Sequence, residues 1–301
     1  MILPSTSENL DRAAVTIRNG GLVVIPTETV YGLAADATNP EAVRAIFAAK
    51  SRPADNPLIV HIAHLEQVQG LTLSFPEEAA ALAEHFWPGP LTLVMQKGPS
   101  VPMEVTGGLD TIAIRMPDHP VALEVIRRSG RPLAAPSANR FMALSPTRAE
   151  HVDSELAPII LDGGPCRVGL ESTVIDCSEG ALQILRAGGI GRRDIEGLLG
   201  RQAGTGTSTA RRSPGMYPRH YAPNAKLHLI YETLGDRPGI SFVQSGQNQI
   251  CLPLDPVDFA AALYNALHHL DSRGLANIYV ESPPLEPEWE AVHDRLNRMI
   301  S

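Results

Sequence analysis

Four groups of residues in this chain have types and spacing suited to chemistry on a phosphorylated or zwitterionic ligand. Lys50, Ser51 and Arg52 stand together, with Asn56 four residues further on. Arginine offers a planar fork of donors, lysine a compact charge, and an amide can bond a ribose or a base edge, so the set suits a polyphosphate. Basic residues at a helix C-terminus also answer that helix's dipole, and the second account needs no ligand. Pro136, Ser137, Ala138 and Asn139 follow a short apolar run and precede Ser145, Pro146 and Thr147. Hydroxyls and an amide at a buried strand exit are placed where α/β sheets bind ligands, although Asx and Ser turns use the same residues to satisfy local backbone. The stretch from Pro26 to Gly32, with Thr27, Thr29 and Tyr31, presents further hydroxyls at a strand exit and reads either as a small-substrate pocket or as a cap for the next helix. The last group is His61, Arg115 and Arg186, each on or ending an apolar strand. A histidine there is commonly a satisfied core residue. A buried arginine requires an anionic partner, from the protein or from a ligand.

Other chemistry lacks its residues. The chain contains no G-x-x-x-x-G-K-[ST], no H-E-x-x-H and no G-x-S-x-G. Gly188, Gly189 and Gly191 resemble part of a dinucleotide loop, but Asp194 stands where its last glycine is required. Cys166, Cys177 and Cys251 are far apart, so neither a zinc site nor a disulfide framework is expected.

The elements that must position these residues are readable from apolar runs and their punctuation. Ser5 and Glu8 have capping-box spacing ahead of Leu10, Ala13, Ala14 and Ile17, which predicts a first helix. Strands are expected at 21–26, 58–62, 91–95, 111–114, 133–135, 159–161, 172–175 and 182–185, and a helix capped by Asn39 and Pro40 follows a loop reading TETVYGLAAD. Residues 201–213 offer little to bury and read as a linker. Beyond them, strands are expected at 226–231, 240–243, 250–252 and 277–281, with helices at 256–272 and 286–300, a small domain with a parallel sheet. Only about eight residues separate its first two strands, too few for a crossover helix.

Composition bounds the function. At 301 residues and 44% hydrophobic, the chain is long enough for two cores. A formal net charge of −8 argues against a surface built to bind nucleic-acid backbone, and so against the rival reading of a non-catalytic double-stranded RNA or tRNA-binding module. No basic leader or long apolar run occurs, so a cytoplasmic protein with no membrane segment is expected.

Taken together these pieces resemble the threonylcarbamoyl-AMP synthase family in its two-domain form. The strings PTETVYGL, KSRP with DNPLIVHI, FWPGPLTLV, GLDTIAIRMPDHP, PSAN, LDGGPCRVGLESTVID, LRAGG and SPGMYPRHYAP occur in the family's order over nearly the whole chain. The resemblance implies a YrdC-like α/β (α+β-type) domain at 1–200 with a twisted mixed sheet covered by helices. A linker or lid segment at 201–224 and a trimmed, Rossmann-like α/β domain at 225–301 would follow. It implies that Lys50 and Arg52 carry the catalytic burden. With Asn56, Thr111, Ser137, Asn139, Ser145 and Arg186 they would hold ATP. Thr29, His61, Arg115, Ala135 and Ser172 would hold threonine, and Arg219, His220 and Tyr221 would belong to a lid over the site.

The implied reaction carboxylates threonine's amine with bicarbonate and displaces pyrophosphate from ATP at the α-phosphorus, with magnesium on the leaving group. Positioning and charge neutralisation carry such a reaction, with no protein nucleophile. A lid protects the water-labile carbamate and mixed anhydride. The product would pass to a tRNA threonylcarbamoyl transferase complex, with weak direct contact to tRNA possible in principle. Met142 and Ala143 replace the glycine-containing turn often found after the S-x-N element, which bears on the loop leading to Ser145.

Overall fold

The computed structural model describes residues 1–180, 182–206, 220–243, 246 and 248–300, and two sheets organise them. The first is built from β1 (Ile2–Pro4), α1 (Ser7–Arg18), β2 (Val23–Ile25), β3 (Gly32–Asp36), α2 (Pro40–Lys50), β4 (Ile59–His61), α3 (Gln67–Leu71), α4 (Glu77–Phe86) and β5 (Leu91–Gln96). It continues with α5 (Met103–Thr106), β6 (Thr111–Arg115), α6 (Pro120–Ser129), β7 (Leu133–Ala134), β8 (Ile159–Asp162), β9 (Thr173–Asp176), β10 (Gln183–Arg186), α7 (Arg192–Leu199) and β11 (Gly204–Thr205). Its strand order is β1-β8-β2-β3-β7-β4-β6-β5-β9-β10-β11. Parallel pairs such as β4 with β6 alternate with antiparallel ones such as β5 with β6, so the sheet is mixed, as expected.

Side-chain alternation along these strands decides where the site lies. Val24, Leu33, Val60, Leu93, Ile114, Ile175 and Ile184 face one side, where helices α2, α4 and α7 bury them in a large core. On the other side, Val23, Ile25, Ala34 and Leu133 are covered by α1 and α6. The remaining half of that face carries only Ile59, Val94, Ala113, Val174 and Leu185. That less covered half is where the polar groups gather.

The second sheet holds β12 (Lys226–Ile230), β13 (Gly239–Ser241), β14 (Gln249–Cys251) and β15 (Asn277–Glu281), with α8 (Pro256–Asp271) before β15 and α9 (Glu290–Ile300) after it. All its pairings are parallel, in the order β12-β15-β13-β14. Residues 231–238 contain no helix, as their number requires. Phe259, Leu263, Leu267 and Leu270 of α8 and Val292, Leu296 and Met299 of α9 recur at helical spacing and bury Leu227, Ile240, Ile278 and Val280. The same core takes in Val30, Leu144, Leu170 and Tyr221, so the second unit packs on loops of the first. Among the described residues, no helix is long and apolar enough to cross a membrane.

Several expectations need correction. Thr6, not Ser5, caps α1: its hydroxyl accepts from the Asn9 amide, while the Ser5 hydroxyl donates to the Asp162 carbonyl across the sheet edge. The second half of TETVYGLAAD is strand β3, held on both sides by antiparallel partners β2 and β7. The final helix begins as a 3-10 turn at Pro287–Trp289 and becomes α-helical at Glu290. Residues 207–219, including Arg219, lie outside the described residues.

Candidate functional site

His61 and Arg115 end β4 and β6 as direct cross-strand partners. With Ile59 they share the less covered face and line a cleft whose empty space, counted out to open solvent, is about 520 Å³. The Arg115 guanidinium is nearly fully buried, and burial lowers its pKa while Glu28 opposes that shift. It donates to the Thr29 hydroxyl at 2.9 Å and meets the Glu28 carboxylate at 3.4 Å. Glu28 keeps its other oxygen buried without a hydrogen-bond partner. Thr29 is fixed by a tight turn, in which the Thr27 hydroxyl donates to the Val30 carbonyl, accepts from the amides of Thr29 and Val30 and is hydrogen-bonded to the Thr29 hydroxyl at 2.8 Å. Burial, then the nearby Arg115 charge, push His61 down to about 3, so its ring is neutral at physiological pH.

Across the cavity, the PSAN ledge is held by β3 and the chain before it. Leu33 and Ala138 donate their amides to the carbonyls of Pro136 and Tyr31, and Gly32 bridges Ser137. Gly32 allows that approach, since a Cβ there would lie 3.3 Å from that of Ala135. Lys50, last residue of α2, is buried and donates to the carbonyl oxygens of Ser137 and Asn139. Burial and then the adjacent Arg52 hold its ammonium well below the usual lysine range. Ser51, at φ 52°, reverses the chain so that Arg52 follows into the cavity wall. Arg52 itself donates to the carbonyls of Asn56 and Pro57.

The third wall comes from β9, β10 and the tail. The pairing of β10 with β9 shifts register between Ile184 and Arg186. Ile184 packs in the helix-covered core and Leu185 on the opposite face, so strict alternation would return Arg186 to the core; the irregularity re-aims it into the cavity. Its guanidinium donates to the Ser172 carbonyl and hydroxyl at 3.1 Å each and reaches the Tyr221 hydroxyl at 3.4 Å. Gly188 passes so close behind this wall that a Cβ would lie 2.3 Å from the Thr173 nitrogen, which accounts for glycine there without a dinucleotide loop.

Glu171 also faces the cavity, and both its oxygens are taken. Ser145 donates at 2.6 Å, Arg295 of α9 at 2.7 Å and Tyr264 of α8 at 3.2 Å. Burial would raise this carboxyl, yet the Arg295 and Arg186 charges and the hydrogen bonds from Ser145 and Arg295 outweigh it and hold it below its usual value. His220 and Tyr221 close the space from above. Tyr221 sits at φ 62°, its ring beneath the Arg295 guanidinium at 5.3 Å, and the tail is pinned where Ala222 donates to the Met142 carbonyl and His220 to that of Arg298. Burial, against Glu171 and with the charges of Arg52, Lys50 and Arg186, pushes His220 down to about 3.

Of the residues singled out from sequence, Thr29, Arg52, His61, Arg115, Ala135, Ser137, Ser172, Arg186, His220 and Tyr221 line this one cavity. Lys50 stands behind the Ser137 ledge. Asn56, Thr111, Asn139 and Ser145 do not line it. Three of these, however, carry a buried polar atom without a hydrogen-bond partner: Asn56 Nδ2, Thr111 Oγ1 and Asn139 Oδ1. Thr111 shares a strand face with Arg115, about 13 Å along β6. The site spreads over a sheet face as well as strand ends, because β7 runs antiparallel to β4. Sequence reasoning passed over Glu28, Glu171, Tyr264 and Arg295. The signals were present: acids inside the apolar strings PTETVYGL and GLESTVID, and an arginine on the face of α9 shared by Val292, Leu296 and Met299.

A family model described as "Telomere recombination" matches residues 15–188, and one described as "Threonylcarbamoyl-AMP synthase, C-terminal domain" matches residues 190–299. The chain is similar to the threonylcarbamoyl-AMP synthase of Pyrococcus abyssi, 43% identical over 95% of this chain and 92% of the relative. It is also similar to that of Bacillus subtilis, 42% identical over 98% and 93%. Its fold matches the crystal structure of P. abyssi Sua5 complexed with L-threonine, with a TM-score of 0.92 and 40% identity over 100% of this chain and 97% of the other.

Proposed function

This chain belongs to the threonylcarbamoyl-AMP synthase family and forms threonylcarbamoyl-AMP from ATP and L-threonine, and on that premise we propose that both substrates meet in the cavity between Arg115 and Arg186. One observation carries the reading: a single cleft is lined by Arg115, Thr29 and the neutral His61 and also by Arg52, Ser137 and Arg186, with Ser172 among them. Threonine's carboxylate pairs with Arg115, its side chain and amine lie near Thr29, His61 and the Ala135 backbone, and Ser172 stands between the two substrates. The triphosphate lies toward Arg52, Arg186 and the Ser137 ledge that Lys50 supports. Asn56, Thr111, Asn139 and Ser145 complete the nucleotide end. Unanswered buried polar atoms cost about 1–3 kcal/mol each, and a nucleotide extending along β6 would answer those of Asn56, Thr111 and Asn139.

The reaction follows from these placements. Threonine's neutral amine attacks the bicarbonate carbon and water leaves, giving an N-carboxylate, and a carbamate oxygen then attacks the α-phosphorus and expels pyrophosphate. Arg52, Lys50 and Arg186 offset the developing charge, and neutral His61 adds none near the amine. His220 and Tyr221, with Arg219 preceding them, act as a lid that keeps water from both labile species.

Glu171, the carboxylate among the residues lining the cavity, already has Arg295, Tyr264 and Ser145 on its two oxygens. We therefore assign magnesium to the substrate as MgATP and give it no protein side chain. A division into catalytic domain 1–200, connecting segment 201–224 and C-terminal domain 225–301 belongs to the same reading, supported by separate sheets with separate cores. So does delivery of the product to a tRNA threonylcarbamoyl transferase complex. Incubation with ATP, labelled bicarbonate and each amino acid in turn tests the reading. A labelled adenylate formed with threonine alone supports it; label absent, or equal with every amino acid, overturns it.

A further inference from the structure

Glu171 presents a paradox for a nucleotide site. It is a buried carboxylate lining the cavity beside Arg186, His220 and Tyr221, where a polyanion is to lie. Its negative charge would repel phosphate, and unpaired it would be costly to bury. The charge hydrogen-bonded to it comes from the second unit: Arg295 of α9, fully buried, whose Nε donates to Glu171 Oε2 at 2.7 Å. The rest of that guanidinium is anchored on the Ala187 carbonyl at 3.0 Å and on Asp294, which is itself bridged to Arg298 at 2.9 Å. Tyr264 of α8 bonds the same carboxylate, and the Tyr221 ring lies against the guanidinium.

We propose that Arg295 is a positioning residue for the nucleotide, contributed by the C-terminal unit, which neutralises Glu171 and so fixes the Ser145 hydroxyl, the Arg186 wall and the Tyr221 lid in a phosphate-compatible arrangement. This rests on the reading above that ATP occupies that end of the cavity. The second unit is then a working part of the ATP site, whereas the threonine end, built on Glu28, Thr27, Thr29 and Arg115, meets it through the packing of Val30 and not through these polar groups. The groups facing Glu171 are Arg295 and Asp294 from α9, Tyr264 from α8, Arg186 from β10, and His220 and Tyr221 from the tail. With Arg295 removed, the Glu171 carboxyl rises, and its charge is lost only on acidification.

The test uses the full chain and steady-state pyrophosphate release with MgATP and threonine varied separately. Arg295→Met is expected to raise the KM for ATP at least tenfold and that for threonine less than threefold. Its ATP KM relative to wild type should shrink as pH falls from 8 to 6, and the neutral pair Arg295→Met with Glu171→Gln should bring it back to within about threefold of wild type. Equal rises in both KM values, a ratio independent of pH, or a double variant as impaired as the single one would each overturn the proposal. Should Arg295→Met fail to fold, the double variant alone decides, and an ATP KM more than tenfold raised in it counts against. Arg52→Ala in the same assay separates the two layers. If it too leaves the ATP KM unchanged, the assignment of the nucleotide end has failed; if it raises that KM while Arg295→Met does not, only the present inference has.

Discussion

The two ends of the cavity solve the same problem, a buried arginine beside a buried acid, in different ways. At the end proposed for threonine, Arg115 and Glu28 both belong to the segment that builds the first sheet and meet at 3.4 Å, with Thr29 completing the group. At the end proposed for the nucleotide, Glu171, just before β9 of the first sheet, is answered at 2.7 Å by Arg295 from the last helix, with Tyr264 and the tail residue Tyr221 packed alongside. The first arrangement can form as soon as its own sheet folds. The second exists only once both sheets and the tail are in place. Binding of the amino acid should therefore depend less on the docking of the C-terminal unit, which reaches that end through Val30, than binding of the nucleotide does.

The largest effect expected at either end is from Arg52→Ala or Lys50→Ala, which should lower the rate of pyrophosphate release by about a hundredfold or more, the scale of losing one preorganised donor at a developing charge. Circular dichroism checks that the fold survives; a rate within tenfold of wild type would remove these residues from the phosphate path. Next comes Arg115→Ala, made together with Glu28→Gln so that no uncompensated acid stays buried. Its threonine KM should rise by about ten- to a hundredfold, the scale of losing one charged hydrogen bond, with the ATP KM nearly unchanged. A reversed split, ATP suffering more than threonine, would break the comparison between the ends.

Gly188→Ala probes the backbone behind the nucleotide wall, where a Cβ would meet the Thr173 nitrogen at 2.3 Å. It should destabilise the protein by about 1–3 kcal/mol and raise the ATP KM while sparing that for threonine, as read by urea unfolding and the same kinetic assay. One property is shared by both ends, since His61 and His220 are each held down to about 3. A histidine whose folded pKa lies below its unfolded value of about 6.5 contributes stability that is full above that value and is lost as pH falls toward the folded one. Calorimetry should find the melting midpoint falling between pH 7 and pH 5, less steeply in His61→Gln than in wild type; an unchanged slope would mean that His61 is not buried neutral. The smallest effect concerns Met142, whose φ of 72° in the turn under the tail suits glycine. Met142→Gly should stabilise the fold by about 1 kcal/mol, seen as a melting midpoint a few degrees higher.

Much of the fold was legible where local pattern and tertiary demand coincide. The strands around Val23, Val60, Ile114 and Ile175 are β-branched and apolar, and α2 begins where Asn39 caps it with Pro40 behind, its side chain accepting from the amides of Glu41 and Ala42. β3 escaped because Gly32, Ala34 and Ala35 have little intrinsic preference for strand; two antiparallel partners impose it. β1 escaped because three largely exposed residues carry no buried pattern and are held by β8 alone. In the site, residues in distinctive strings were found, but their grouping was pictured at strand ends. The reversed direction of β7 and the register shift at Arg186 spread the site across a face, and neither leaves a mark on local sequence.

Residue chemistry and order along the chain were enough to determine the cast: the cations, hydroxyls and neutral imidazole able to hold a triphosphate beside a small zwitterion, and the family to which the strings point. Which charges would be cancelled, and by whom, was decided only in three dimensions. Glu171 and Arg295 are 124 positions apart, and an ion pair depends on separation in space and on the exclusion of water. Both arise only when α9 docks against the loops of the first sheet.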